Sequence, residues 1–328
     1  MEIYIDKAFL DKFYAKYDAE NDTHKNLRKF ISKANMGKVF LDFDYSTREE
    51  YDKATTENPF LDELIDVKSY TITSTFKEDC KNINFYETGS ASKYFFVEGI
   101  NNQEIEDNYG CVAISSNELE KVDFLLNWLI LPISKKKNFP NNWDFLDRFK
   151  HPCNAMVLTD NYLFDYNAQE MKENLIPFLK KLLPKTLEIE FQLTIIGKDT
   201  KKTIDFKQKK VEIEKALEAF NYPINLTIIP EAVHDRNIFT NYYWINSGVG
   251  FSIFKVEGGR LKLKNDSMFT FYPISYINTD FKAYFSESTK VVADSVLSCR
   301  NEILDNCKKM NQKDFLELAG NKRNRLLT

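Results

Sequence analysis

The sequence of 328 residues is long enough for two domains of ordinary size or for one large domain. Its apolar content of 43%, with 27 Phe and 17 Tyr, is sufficient for a buried core, and its 10 Gly and 9 Pro are too few for a long disordered region. The net charge of −4 is unevenly divided, because residues 1–150 contain 20 Lys and Arg against 27 Asp and Glu, whereas residues 151–328 contain 25 against 22. The first part would therefore repel a polyanion unless metal ions intervene, whereas the second part would tolerate one.

The five cysteines are widely spaced and form no CxxC pair, which argues against a zinc site or a disulfide framework and predicts reduced thiols. No basic segment followed by an apolar run begins the sequence, and the longest apolar stretch, 124–133, is too short and too interrupted to span a bilayer. We therefore expect a cytoplasmic protein without a membrane span.

In the first part of the chain, short apolar strands alternate with helical patterns, which is typical of a parallel α/β sheet. The predicted strands are residues 2–6, 39–43, 69–76, 94–97 and 111–114, and helices are predicted at 7–17, 46–54 and 101–109. Residues 134–150 contain three consecutive lysines (135–137) and a proline, and we predict that they form a linker between a domain at 1–133 and a second domain at 151–328.

The α/β pattern begins again in the second part. Strands are predicted at 155–160, 188–196, 224–229 and 268–274, and helices at 174–183, 209–220 and 289–311. A basic tail at 321–325 ends the sequence.

Carboxylates follow the predicted strands of the first part, and because parallel strands end at one edge of a sheet, we expect these side chains to gather there. The candidate ligands for Mg²⁺ or Mn²⁺ are Asp6, Asp42, Glu98 and Glu118. The opening Ile3-Tyr4-Ile5-Asp6 is similar to the start of PIN-like nucleases, a resemblance that implies metal-dependent phosphodiester cleavage with Asp6 as a catalytic residue. Alternatively, these carboxylates are solvated strand ends and helix caps.

Residues 234–251 are the stretch whose residue types most clearly suit a binding or catalytic site. His234 and Arg236 are two apart, so in an extended chain they point the same way, towards a Gly-x-Gly turn with backbone N–H groups. This arrangement predicts a phosphate-binding site formed by His234, Arg236, Asn241, Gly248 and Gly250, with His234 as a candidate catalytic residue. Alternatively, Arg236 pairs with a nearby carboxylate and His234 forms hydrogen bonds within the turn.

The motif His234-Asp235-Arg236-x-Ile238, followed by Asn241, Trp244 and Gly248-x-Gly250, resembles the phospholipase-D-like C-terminal domain that follows MIT domains and has bacterial relatives. The resemblance covers about residues 151–275 and implies a phospholipase-D-like α/β fold. Catalysis in that fold uses two His-x-Lys motifs, but Arg236 stands in the place of the lysine, and neither His24 nor His151 begins such a motif. The resemblance therefore implies phosphate binding rather than hydrolysis, unless a homodimer supplies a second His234.

Together these observations predict an α/β protein with two domains, an N-terminal PIN-like or Rossmann-like parallel sheet and a C-terminal phospholipase-D-like sheet. The predicted function is a nucleic-acid-binding or nucleic-acid-processing effector, and the bacterial relatives imply a role in prokaryotic defence. The alternative is a non-catalytic binding or assembly module that recognises a partner protein or an anionic lipid. The residues leave open whether the chain is an enzyme, and the candidate activity is that of a metal-dependent nuclease or phosphodiesterase.

Overall fold

A computed structural model describes residues 1–32, 38–43, 45, 47–66, 71–73, 75–122, 125, 129–135, 142–200, 204–233, 236–274 and 324–327. It contains a five-stranded sheet, a seven-stranded sheet and a separate two-stranded hairpin. The predicted α/β class is confirmed. Among the described helices, none is both long enough and apolar enough to cross a membrane.

The first sheet is entirely parallel. Its strands are β1 (Glu2–Asp6), β2 (Lys38–Asp42), β3 (Thr71–Thr73), β4 (Lys93–Phe96) and β5 (Val112–Ile114). They are arranged in the order β3-β2-β1-β4-β5, so the strand order reverses between β1 and β4. In open α/β sheets the carboxyl ends of the strands at such a reversal form a crevice, and Asp6 is the last residue of β1.

Helices cover both faces of this sheet, which explains why its strands are continuous apolar runs. The helices are α1 (Lys7–Lys16), α2 (Asp22–Ser32), α3 (Arg48–Glu57), α4 (Pro59–Asp66), α5 (Phe76–Asp79), α6 (Ile83–Glu87) and α7 (Asn102–Tyr109). Ile3 and Ile5 are buried on one face, and Tyr4 is buried on the other against stacked Phe40 and Phe95. Of the strand predicted over 69–76, the described residues 71–73 form β3, whereas Phe76 begins α5.

The second sheet is mixed. Its strands are β6 (Leu129–Ile133), β7 (Ala155–Thr159), β8 (Phe191–Ile196), β9 (Ile224–Ile229), β10 (Asn237–Thr240), β11 (Tyr243–Ser247) and β14 (Ser267–Pro273), and the hairpin consists of β12 (Phe254–Glu257) and β13 (Arg260–Leu263). The order is β6-β14-β11-β10-β7-β8-β9, in which β7, β8 and β9 are parallel and the other neighbours are antiparallel. The helices are α8 (Ala168–Glu170), α9 (Ile176–Leu182) and α10 (Phe206–Leu217), with a π-helical turn, Met171–Leu175, between α8 and α9.

β6, which lies at the end of the predicted first domain, is part of the second sheet. We assigned residues 129–133 to the first domain, but β6 pairs with β14 at the edge of the second sheet. Within the predicted linker, a 3₁₀ helix (Trp143–Phe149) buries Trp143, whose indole N–H donates to the Glu173 carbonyl oxygen at 3.3 Å. This segment is therefore packed, and its aromatic rings contact those of Phe269 and Phe271 in β14.

The two sheets meet through buried contacts, and one hydrophobic cluster runs through both. The Tyr242 hydroxyl donates to the Lys93 carbonyl oxygen at 2.6 Å and accepts from the Val112 N–H at 3.0 Å. Gly110, with a φ of +62°, lies so close to Cys153 that an added Cβ would be 2.3 Å from the Cys153 carbonyl oxygen. The two halves share one core, and their division into two domains stays a prediction.

The described C-terminal residues, 324–327, lie against the second sheet rather than in solvent. The buried Asn324 amide donates to the Met156 and Gln192 carbonyl oxygens, and the Arg325 guanidinium donates to the Tyr86 carbonyl oxygen. This part of the predicted basic tail is therefore packed. The predicted helix at 289–311 lies outside the described residues.

Candidate functional site

The carboxyl edge of the second sheet brings Arg236 beside Asp160. Asp160 directly follows β7, and β10 begins at Asn237, which pairs with Thr159, the last residue of β7. Because β7 and β10 are antiparallel, the residue before β10 and the residue after β7 are neighbours. The Arg236 Nε atom lies 3.9 Å from the Asp160 Oδ1 atom.

Asp160 is a buried carboxylate with only 1% of its surface exposed. Its Oδ1 atom accepts from the Tyr162 backbone N–H at 2.9 Å, and the Tyr166 hydroxyl donates to Oδ2 at 3.4 Å. Burial raises the pKa of Asp160, and the Tyr162 N–H, Arg236 and the Phe251 N–H oppose that rise without cancelling it. The charged form of Asp160 is therefore less stable than that of an exposed aspartate.

Gly250 closes this site from a neighbouring turn. Its φ is +83°, and a Cβ atom there would lie 2.8 Å from the Asp160 Oδ2 atom and 3.0 Å from the Arg236 Cδ atom. Glycine is therefore required both by the backbone conformation and by the close approach. The N–H of Gly248, the other predicted glycine of the site, donates to the Met268 carbonyl oxygen at 3.1 Å.

The Arg236 guanidinium remains accessible at the sheet edge. Its side chain is 31% exposed, and it donates no hydrogen bond to any described residue. Its guanidinium carbon lies 5.7 Å from the centre of the Tyr162 ring. Lys198 follows Gly197 at the end of β8, and its exposed side chain forms no ion pair with a residue that the structure describes. Two cationic side chains thus lie at this edge with unused hydrogen-bond donors.

The structure assembles only part of the phosphate-binding site that the sequence predicts. His234 and Asp235 lie outside the described residues. Asn241 lies beyond the opposite end of β10, is fully buried, and its side-chain oxygen accepts from the Asn154 and Ala155 N–H groups. Its amide nitrogen donates to Asn154 and to the Ala91 carbonyl oxygen. Because these groups are all engaged at the junction of the sheets, we leave Asn241 out of the candidate site.

Asp6 and Asp42 lie together at the carboxyl edge of the first sheet, as predicted, but a lysine side chain lies between them. Asp6 and Asp42 are directly opposite each other in the register of β1 and β2. The Lys77 Nζ atom is 2.7 Å from the Asp6 Oδ2 atom and 3.7 Å from the Asp42 Oδ2 atom. Asp6 is 1% exposed and also accepts from the Phe9 N–H at 2.6 Å and the Glu98 N–H at 2.8 Å. It therefore caps α1 and joins β1 to the segment after β4.

The other two predicted metal ligands are also paired with lysines. Glu98 accepts from Lys12 at 2.8 Å and from the Ser116 N–H at 2.8 Å, and Glu118 contacts Lys121 at 2.7 Å. Partial burial works to raise the pKa of Glu98, but the hydrogen bonds from Lys12 and Ser116 lower it overall. The pKa of Glu118 is lowered in the same way, against its own desolvation, chiefly by Lys121.

The donor set at this edge does not fit Mg²⁺ or Mn²⁺ as it stands. Each of the four predicted ligands contacts an ammonium group, and the part of the chain that the structure describes has no group of three or more His, Cys, Asp or Glu side chains able to hold a metal ion. A dication would have to displace Lys77 before it could bind Asp6 and Asp42 together. We therefore derive no metal-dependent step from these residues.

Sequence reasoning did not select Asp160, Lys77 or Tyr162. Asp160 carried the same signal as the selected carboxylates, since it follows a predicted apolar strand. Lys77 carried none, because its position depends on where β3 ends and α5 begins. Comparisons with known proteins add no identification, since no protein-family model and no curated protein matches the chain.

Proposed function

We propose that this protein binds nucleic acid through the phosphate backbone, at the edge formed by Arg236 and Lys198, without cleaving it. The observation that carries the proposal is the accessible Arg236 guanidinium, which has a buried carboxylate behind it and no hydrogen-bond acceptor among the described residues. A planar guanidinium offers parallel N–H donors to two oxygens of one phosphate, and such charge-assisted bonds are stronger than neutral ones.

The surroundings of Arg236 suit an anion that binds and is released. Asp160 holds the arginine at 3.9 Å, which is too far for a hydrogen bond, so an incoming phosphate does not have to break one. The second part of the chain, with 25 Lys and Arg against 22 Asp and Glu, also carries the charge that a polyanion needs.

Binding without cleavage is the function that the side chains support best. The carboxylates that would hold a catalytic metal are paired with Lys77, Lys12 and Lys121, and Arg236 replaces the lysine of the catalytic motif that the resemblance suggests. We also propose, from that resemblance alone, a role in prokaryotic defence. Binding of a partner protein or an anionic lipid at the same edge is the competing function.

The test measures binding of a fluorescent oligonucleotide to the full-length protein across a range of salt concentrations. Arg236→Ala should weaken binding by about 10-fold and reduce the slope of log affinity against log salt by about one unit, as expected for one lost phosphate contact. Arg260→Ala is the matched control, because Arg260 is an exposed arginine in the hairpin strand β13. Equal affinities for the two variants would contradict the proposal.

Three further measurements separate the competing functions. Anionic vesicles replace the oligonucleotide in one arm, and binding to vesicles alone would favour the lipid alternative. Incubation of RNA and DNA with Mg²⁺ or Mn²⁺ tests cleavage, with Asp6→Asn and His234→Ala as the variants that should abolish it if those residues are catalytic. The molar mass in solution tests the homodimer that would bring two copies of His234 together.

A further inference from the structure

We propose that the binding edge recognises single-stranded nucleic acid, with one base stacked on the Tyr162 ring while the adjacent phosphate binds Arg236. This inference rests on the proposed function and adds to it the class of ligand and the residue that selects it.

Tyr162 differs from the other exposed aromatic residues of the described chain. More than half of its side chain, 52%, is exposed, compared with 40% for Tyr14 and 43% for Tyr45. Tyr14 packs edge-on against Phe60, and Tyr45 lies against two other rings. Tyr162, in contrast, contacts no aromatic ring among the described residues. The Arg236 guanidinium lies over one face of the ring, 5.7 Å from its centre, and more than half of the surface of Tyr162 is still open to solvent.

The backbone beneath this ring is firmly held. The Tyr162 N–H donates to the buried Asp160 carboxylate at 2.9 Å, and the next two residues, Leu163 and Phe164, are buried in the core. Because the backbone is already fixed, a ligand that stacks on the ring has to order only the two χ angles of the tyrosine side chain. The same carboxylate lies 3.9 Å from Arg236, so Asp160 sets the position of both the aromatic and the cationic group.

The spacing of the two groups suits a nucleotide. The guanidinium carbon is 5.7 Å from the ring centre, so a phosphate on the arginine and a base on the ring can belong to neighbouring parts of one strand. Proteins bind single strands by this combination, in which cationic groups follow the backbone and aromatic rings stack with bases. In a duplex the bases already stack on each other, so the Tyr162 ring favours an unpaired strand.

The experiment compares three ligands of equal length, namely a single-stranded oligonucleotide, the same strand with abasic sites, and a duplex. The wild-type protein should prefer the intact single strand by roughly 10-fold over the abasic strand, and Tyr162→Ala should remove this preference. Tyr162→Phe keeps the ring and should retain the preference. Tyr45→Ala is the matched control for loss of an exposed tyrosine, and thermal unfolding confirms that each variant is folded.

The outcomes separate this inference from the function on which it rests. If Tyr162→Ala keeps the preference for the intact single strand as Tyr45→Ala does, or if the duplex binds the wild type as tightly as the single strand, stacking on Tyr162 is excluded. Arg236→Ala would then still decide the phosphate-binding proposal. If Arg236→Ala binds normally, or if the protein binds only anionic vesicles, the proposed function fails and this inference fails with it.

Discussion

The Arg236 guanidinium lies 3.9 Å from the buried Asp160 carboxylate and forms no hydrogen bond with it. Protonation of Asp160 removes a negative charge from beside the binding site, and burial has raised the pKa at which this occurs. We therefore expect the affinity for an oligonucleotide to increase by up to about fivefold as the pH falls from neutrality. This factor corresponds to about 1 kcal/mol, the upper end of the interaction energy between partly exposed charges. Neither phosphodiesters nor thymine bases take up protons in that range, so with an oligothymidylate the change would arise in the protein.

Asp160→Asn provides the matched variant for this prediction, since it keeps an acceptor for the Tyr162 N–H without the charge. At neutral pH the variant should bind as tightly as the wild type does at low pH. Its affinity should not increase further as the pH falls. Because the ordinary pKa of a histidine side chain is close to neutrality, the measurement is repeated with His234→Asn. A pH dependence that persists in Asp160→Asn and disappears in His234→Asn would assign the effect to the histidine.

His151 should make the fold sensitive to acid. It is buried, its Nδ1 atom lies 2.9 Å from the Phe149 carbonyl oxygen, and its Nε2 atom lies 2.8 Å from the Thr240 hydroxyl. A carbonyl oxygen only accepts, so Nδ1 carries the proton of the neutral ring and Nε2 accepts from the hydroxyl. Burial lowers the pKa of His151 from 6.5 to about 4. The unfolded chain therefore binds a proton first, and stability is lost as the pH falls between these two values.

The expected loss is about 3 kcal/mol of unfolding free energy between about pH 7 and pH 4, from the size of this pKa change. Denaturant unfolding at both pH values measures it. In His151→Gln this contribution should disappear, so the variant should lose about that much less stability than the wild type over the same range. His24→Gln is the control and should show the wild-type dependence. If His151→Gln does so too, the buried histidine is not the group responsible.

How far the sequence predicted the molecule depended on whether a feature is local. Strand periodicity and the residues that follow strands are local, so the parallel strands and the position of Asp6 at a strand end were predicted correctly. The pairing of β6 with β14 joins residues more than a hundred positions apart, and no local pattern specifies it. Trp244, which we named as part of the motif that follows His234, is buried, and its indole N–H donates to the Asn237 side-chain oxygen. The position of Lys77 between two carboxylates depends on tertiary packing and could not be predicted.

Tyr242→Phe tests the junction between the two sheets. The Tyr242 hydroxyl is fully buried, and its removal leaves the Val112 N–H and the Lys93 carbonyl oxygen without this partner. Loss of a buried hydrogen bond of this kind costs about 1–3 kcal/mol, so the midpoint of thermal unfolding should fall clearly below that of the wild type. Tyr45→Phe, at an exposed position, should have little effect. Two separate unfolding transitions in the wild type would contradict a core shared by the two halves.

Lys77→Ala tests whether this ammonium group occupies the place of a metal ion. The substitution leaves Asp6, which is 1% exposed, without its cationic partner, and about 1–3 kcal/mol of stability should be lost because Lys77 itself is partly exposed. It also leaves two carboxylates facing the vacated position, and oxygen ligands of this kind bind Mg²⁺ and Mn²⁺. Mn²⁺ should therefore raise the unfolding temperature of Lys77→Ala more than that of the wild type. Lys81→Ala, which removes an exposed ion pair with Glu78, should respond to Mn²⁺ as the wild type does. If Mn²⁺ stabilises all three proteins equally, Lys77 does not control access of a cation to Asp6 and Asp42, and the ion binds elsewhere.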